Sequence, residues 1–173
     1  MPRYAAFLRA VNVAGRGKLP MADLSVALEA LGYENVVTYI QSGNVAFDAA
    51  RAANTKLAAA IEATVASACK VETTVMVRTA SEMAKLAAGH PFPTSAAAPT
   101  VYVMFCDRPA KGELELPAGA TEQFVVEGAD IYGYYPGGYG TSKLGSTYLE
   151  RKLGVSITGR NWNTVQKLAE LTR

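Results

Sequence analysis

The stretch Thr38-Tyr39-Ile40-Gln41-Ser42-Gly43-Asn44-Val45-Ala46-Phe47 decides the fold. It reads as two short strands folded back through Ser42-Gly43-Asn44, because glycine and asparagine tolerate the positive φ of a tight hairpin. Before it, residues 4–11 form a mostly apolar run ending at Asn12, a first strand. Gly15-Arg16-Gly17-Lys18-Leu19-Pro20 is a loop, with Pro20 near a helix start, where its missing N–H costs little. Met21, Leu24, Leu28 and Leu31 then recur at helical spacing, and Gly32 closes the run. Strands are expected over 36–40 and 44–47. Leu57, Ile61, Val65 and Ala68 mark an alanine-rich second helix over 51–67. A fourth strand is expected over 71–78, with Val71, Thr73, Val75 and Val77 on one face and Glu72, Thr74, Met76 and Arg78 on the other.

This order, β-α-β-β-α-β, predicts a ferredoxin-like unit: an antiparallel sheet with both helices on one face and the other face free for a partner. Thr79-Ala80-Ser81-Glu82 has capping-box spacing and opens a connecting helix to about Ala88. Residues 89–98, rich in proline and alanine, read as a linker. The second half repeats the order more loosely. Residues 101–106 are an apolar strand covered on both faces. A short helix is expected over 108–116, against Pro109, Gly112 and Pro117. Residues 123–126 and 131–135 form a second hairpin around Glu127-Gly128-Ala129-Asp130. Pro136-Gly137-Gly138-Tyr139-Gly140 feeds a helix over 142–153 that Gly154 ends, 155–157 is a vestigial strand, and Trp162, Val165, Leu168, Ala169 and Leu171 give a last amphipathic helix. The fold class is therefore α+β. It comprises two tandem ferredoxin-like units, the second irregular, with extra connecting and C-terminal helices. The expected subdomains are 1–88 and 99–173.

The chain has 173 residues, half of them apolar, and a formal net charge of +2. That length supports one domain or two small ones sharing a core. The near-neutral charge excludes a bulk polycation but not a local basic patch. Cys69 and Cys106 lie far apart without C-x-x-C spacing, so neither a disulfide framework nor a zinc knuckle is indicated, and a cytoplasmic home is expected. No apolar run suits a bilayer, so no membrane partner is expected, and no cofactor is called for. Carboxylates are scattered, and His90, the sole histidine, is read as a solvent-facing loop residue rather than a base.

What stands out is where cations fall. Helix N-termini carry partial positive charge and disfavour cations by up to about 1 kcal/mol. Arg16 and Lys18 precede the first helix, Lys143 is placed in the first turn after the glycine loop, and Arg160 in the first turn after Thr158-Gly159. Such helix ends, reinforced by cations, can hold a phosphate or carboxylate. The plain alternative is that each cation points into water. Asn12, Gln41, Ser42, Asn44, Asn161 and Asn163 cluster in the same loops, where they would read a ligand's edge or tie turns. Arg9 sits in an apolar strand and needs a carboxylate or a ligand. Tyr39 and Gln41 are expected on one hairpin face. Gly138-Tyr139-Gly140-Thr141-Ser142-Lys143 departs from both G-x-x-x-x-G-K-[ST] and G-x-G-x-x-G.

Phe7-Leu8-Arg9-Ala10-Val11-Asn12-Val13, Thr38-Tyr39-Ile40-Gln41-Ser42-Gly43-Asn44-Val45 and Arg160-Asn161-Trp162-Asn163-Thr164-Val165 together resemble the signatures of the bacterial family catalogued as domain of unknown function 1697. The resemblance spans nearly the whole chain and implies an α/β protein with ferredoxin-like halves. It implies no assigned activity and carries over no catalytic residue. Ala10 and Gly159 stand where the family commonly has glycine and threonine. The first adds a methyl beside the loop after strand one, and the second loosens the approach to the last helix.

Three functions follow as expectations. The first is binding of a phosphorylated small molecule, a nucleotide or single-stranded nucleic acid. Its candidate residues are Arg9, Asn12, Arg16, Lys18, Tyr39, Gln41, Asn44, Ser142, Lys143, Arg160, Asn161 and Asn163. The second is a small metal-free enzyme using Arg or Lys electrostatics and a Tyr or Lys proton donor. The third is a protein-interaction domain.

Overall fold

A computed structural model describes residues 1–111 and 113–173. By packing, Met1–Ala88 with Lys167–Arg173 form one unit and Gly89–Gln166 a second. Among the described residues there are eight strands in two four-stranded antiparallel sheets, and five α-helices.

In the first unit the order is β1 (Arg3–Leu8), α1 (Met21–Ala30), β2 (Glu34–Thr38), β3 (Asn44–Asp48), α2 (Asn54–Cys69), β4 (Val75–Thr79) and α3 (Ala80–Ala87). The sheet runs β2-β3-β1-β4. Tyr4, Ala6 and Leu8 of β1 alternate onto the face where Leu24 and Leu28 of α1 and Leu57, Ile61 and Val65 of α2 pack. Each such Leu or Ile contributes about 1.5–3 kcal/mol when fully buried. Helix α1 ends in a Schellman turn: Gly32 N–H donates to Glu29 O (2.9 Å) and Tyr33 N–H to Leu28 O (3.3 Å), with Gly32 at φ 83°. Helix α3 begins with the full capping box, Glu82 N–H to Thr79 Oγ1 and Thr79 N–H to Glu82 Oε2.

Three expectations are corrected by this unit. Strand β1 stops at Leu8, so Arg9 lies outside it. Strand β4 begins only at Val75; residues 71–74 instead flank Arg9, whose N–H donates to Thr74 O (2.9 Å) and whose carbonyl accepts from Thr73 Oγ1 (2.7 Å). The sheet face expected to be open is buried at Ala5, Phe7, Ala46, Met76 and Arg78.

The second unit comprises a 3-10 turn (Ala98–Thr100), β5 (Val101–Cys106), β6 (Gln123–Glu127), β7 (Asp130–Tyr134), α4 (Ser146–Leu153) and β8 (Ile157–Asn161), followed by α5 (Trp162–Leu171), whose last turn belongs to the first unit. Its sheet runs β6-β7-β5-β8. Met104, Cys106, Ile131 and Ile157 pack against Leu149 and Leu153 of α4. Val101, Val103, Phe105, Thr158 and Arg160 are buried on the opposite side. Gly154 in the left-handed region (φ 65°) ends α4 as expected.

No helix occupies residues 108–111 or 113–116; Gly112, within that expected helix, lies outside the described residues. Pro109 removes a donor there and Pro117 follows closely. The supposed vestigial strand is a full one, shifted to Ile157–Asn161, and it carries Arg160. Helix α4 starts at Ser146, so Lys143 lies in the preceding loop. Among the described residues no helix is long and apolar enough to cross a membrane.

Candidate functional site

The loop after β1 is set by an unusual run of left-handed residues. Ala10, Asn12, Ala14, Gly15 and Gly17 have φ between 49° and 74°. Ala14-Gly15 are the central pair of a tight turn in which Val13 and Arg16 exchange backbone bonds (2.8 and 3.3 Å), and positive φ at both central residues is the I′ geometry. A Cβ on Gly17 would sit 2.9 Å from Ala10 O, so only glycine lets the loop close there. Alanine in this region costs about 1 kcal/mol or more, so the loop stores strain.

Asn12 holds this loop to the hairpin. Its Nδ2 donates to Leu19 O (2.8 Å) and to Gln41 O (2.7 Å), and its Oδ1 accepts from Leu19 N–H (2.7 Å). The hairpin side is equally set. Strand β2 ends at Thr38, and residues 39–43 form the connection, with Ile40 at φ 49° and Gly43 at φ 79°. A Cβ on Gly43 would lie 2.7 Å from Val11 Cγ2 and 2.8 Å from Leu8 Cβ, and Gly43 O accepts from Leu8 N–H (2.9 Å). Asn44, fully buried, is the first residue of β3 rather than a turn residue; its Nδ2 donates to Tyr39 O (3.1 Å).

The outcome divides the candidate residues of the first unit. Arg16, Lys18 and Gln41 are exposed on the two loops, and Tyr39 is half-buried beside them. Among the described residues no acid pairs with Arg16 or Lys18. Asn12 and Asn44 face inward as struts. Arg9 is half-buried just past β1. The expected common strand face for Tyr39 and Gln41 does not exist, because both lie in the connection. Two exposed apolar residues went unread in the sequence: Val13 (56% exposed) and Ile40 (52%). Neither carries a turn or ligand signature; only the backbone brings them to the rim of the loops.

In the second unit the helix-terminus premise fails. Arg160 is the fourth residue of β8, opposite Val103 of β5, and only 7% exposed. Its Nη1 donates to Thr158 Oγ1 and to Gly159 O (2.9 Å). Burial pulls its guanidinium down to about 10, which the neighbouring Tyr139 opposes, so it stays charged at neutral pH. Asn161 caps α5, its Oδ1 accepting from Thr164 N–H (3.0 Å), and Asn163 is exposed. Ser142 Oγ accepts from Leu144 N–H (3.0 Å) and Lys143 is exposed. The first N–H of α4 goes to the Tyr139 hydroxyl (Ser146 N to Oη, 3.2 Å). Trp162 is core, as its spacing requires. His90 is not simply solvent-facing: it is half-buried, its Nδ1 accepts from Phe92 N–H (3.2 Å), and Trp162 meets it edge-on at 5.0 Å.

Three tyrosines of the second unit, Tyr102, Tyr132 and Tyr135, are poor proton donors. Burial raises Tyr102, pushes Tyr132 up to about 12 and raises Tyr135 further, with Glu127 and Asp130 adding at Tyr132, and Tyr139 first among the neighbours of Tyr135. Tyr135 Oη donates to Leu144 O (2.8 Å) in the core. Each holds its proton more tightly than free tyrosine, away from the range useful for transfer at neutral pH. Among the described residues no three His, Cys, Asp or Glu side chains gather as a metal-binding group.

With this architecture in place, the kinship of the chain can be stated. The model of the family described as protein of unknown function (DUF1697) matches residues 1–132 of the 173. The chain belongs to that family. The match contains the strand-one and hairpin motifs, whereas Arg160-Asn161-Trp162-Asn163-Thr164-Val165 lies beyond it. Among solved structures, the conserved bacterial protein SP0830 from Streptococcus pneumoniae is similar, with 23% identity, 99% of each chain covered and a TM-score of 0.69. At that identity the likeness is one of fold. No match was found among the curated proteins.

Proposed function

We propose that the protein binds an anionic, phosphate-bearing ligand, a nucleotide or a single-stranded nucleic acid, on the rim made by loops 10–18 and 39–43. One observation carries this: Arg16 and Lys18 stand exposed, with no acid partner among the described residues, on a backbone whose left-handed residues hold it in one shape. Strain kept in an exposed loop is a signature of functional surface. The two units differ at this point. In the second, Gly128-Ala129 alone joins β6 to β7, whereas the first uses residues 39–43 between β2 and β3. The sheet needs only the shorter turn, so the longer one serves something else. Val13 and Ile40 add apolar surface on which a base or sugar can rest. We also read each unit as ferredoxin-like, on the strength of the shared strand orders β2-β3-β1-β4 and β6-β7-β5-β8. A cytoplasmic setting rests on Cys69 and Cys106, both free thiols.

The test is fluorescence anisotropy with a labelled oligothymidylate, beside calorimetry with ATP to separate strand from nucleotide. Arg16→Ala/Lys18→Ala should weaken binding and lower the slope of log K against log salt by about 1.4, roughly 0.7 for each single-strand phosphate that is no longer neutralised. Equal affinity and slope in the double variant, or no binding of either probe by the wild type, overturns the assignment.

A further inference from the structure

We infer that Asn12 is the positioning residue of this rim: its carboxamide couples loop 10–18 to loop 39–43, so that the cationic and apolar groups are presented together before any ligand arrives. The inference rests on the binding reading above and adds how that surface is kept ready.

Both amide hydrogens of Asn12 are committed. One goes to Leu19 O within its own loop and the other to Gln41 O across to the hairpin, at 2.8 and 2.7 Å. Its Oδ1 holds Leu19 N–H. A side chain so used has no donor left for a ligand. Backbone bonds and close packing reinforce the same junction. Asn12 N–H donates to Gly17 O (3.0 Å), and Gly43 presses against Leu8 and Val11 where no Cβ fits. The Asn12–Gln41 bond reaches from the segment bearing Arg16 and Lys18 to the segment bearing Ile40. Removing it loosens the outer parts of the two loops from each other, while the Gly43 contacts still hold the base of the junction.

Ordering two loops during binding would subtract from affinity; ordering them beforehand avoids that loss. The signature of such a role differs from that of a charge neutralising a phosphate. Losing Arg16 and Lys18 lowers the salt slope, because fewer counterions are displaced. Losing Asn12 leaves both cations in place, so affinity falls while the slope holds.

Asn12→Gly is the variant of choice, because Asn12 sits at φ 56° and glycine accepts that backbone without strain. Asn12→Ala, which adds strain, is the companion. Hydrogen exchange is followed on the full chain together with oligothymidylate anisotropy over a salt series. Exchange should quicken in 10–19 and 39–43 together while β1 and β3 keep their protection. Affinity should fall about tenfold at unchanged slope. Exchange that quickens in one loop only, or in neither, overturns the coupling whatever the ligand. Both loops loosening with affinity unchanged overturns the positioning role while the binding reading stands. A wild type that binds neither oligothymidylate nor ATP removes the binding reading and this role with it. A coupling seen by exchange would then be structural alone.

Discussion

Arg78 and Arg160 hold the same place in two different sheets. Each is the fourth residue of a five-residue strand, β4 or β8, and each stands opposite the third residue of a central strand, Ala5 of β1 or Val103 of β5. Both are buried, at 6% and 7% exposure, and both donate Nη1 to the carbonyl of the residue just before them, Val77 or Gly159. The next residue then caps a helix in each case, Thr79 for α3 and Asn161 for α5. The two halves share almost no sequence, yet this junction from strand to helix is repeated.

Arg78→Ala and Arg160→Ala should each destabilise the fold by about 2–4 kcal/mol, through a buried void and carbonyls left without a donor. Urea denaturation read by circular dichroism measures it. Arg160→Lys should recover only part of the loss, since Nη1 makes the bonds to Thr158 and Gly159 from a weakly hydrated guanidinium, whereas the strongly hydrated ammonium of lysine costs more to bury there. A loss under half a kilocalorie in both alanine variants would make the repeat incidental.

The caps provide a second comparison. Thr79→Ala and Asn161→Ala each remove a side-chain acceptor for the N–H of the third helical residue, and each should cost about 1 kcal/mol. Thr79→Ser and Asn161→Asp keep the acceptor and should stay near wild type. Thermal melts of the four variants decide it.

Gly43 and Gly15 separate backbone strain from steric fit. Both have φ above 70°, but a Cβ meets nothing at Gly15 and meets Val11 and Leu8 at Gly43. Gly15→Ala should cost about 1 kcal/mol from φ alone. Gly43→Ala should cost roughly 2–4 kcal/mol, because overpacking adds to the strain. Equal melting shifts would show that the hairpin loop gives way.

Asp48 makes stability depend on acid. Its Oδ2 accepts from Asn35 Nδ2 (2.7 Å) and its Oδ1 from Arg3 Nη1 (3.0 Å). The Asn35 bond first, then the Arg3 bond, holds the carboxyl below its ordinary value. A depressed folded value means that the contribution is present in full above the unfolded value of about 3.9 and is lost as pH falls through the folded one. Asp48→Asn should therefore be less stable than wild type near neutral pH, by about 1 kcal/mol or less, with the gap closing as pH falls through the depressed folded value. A gap that persists in acid would assign the loss to packing instead.

Much of the fold was legible because it follows from local pattern. The hydrophobic spacing at Met21, Leu24 and Leu28, the box Thr79–Glu82, the apolar run Val101–Cys106 and Gly154 each act within a few residues of themselves, and each element appears where expected. Segment ends were less legible. Thr158-Gly159-Arg160-Asn161 has helix-start chemistry, and Asn161 is indeed a cap, but pairing with β5 draws the residues before it into a strand. Strand pairing joins segments distant in the chain and leaves no local mark.

The candidate residues were legible as polar loop residues, but the placement of several of them was not. Arg16, Lys18 and Gln41 announce a polar loop, and they are exposed. Asn12 and Asn44 look the same in sequence yet serve as struts, because a carboxamide binds whatever carbonyl the fold brings to it. Alanine at Ala10 and Ala14 gives no hint of a left-handed backbone, since alanine rarely adopts one.

By itself the sequence determined most of the helices and strands, their order, and the family, since periodicity, caps and motifs are near-neighbour properties of the chain. Only the tertiary structure decided that Arg160 is buried in a sheet while Arg16 and Lys18 face water. Burial depends on which distant segments come together, and the same charged side chain belongs in the core or at the surface according to the partners it meets there.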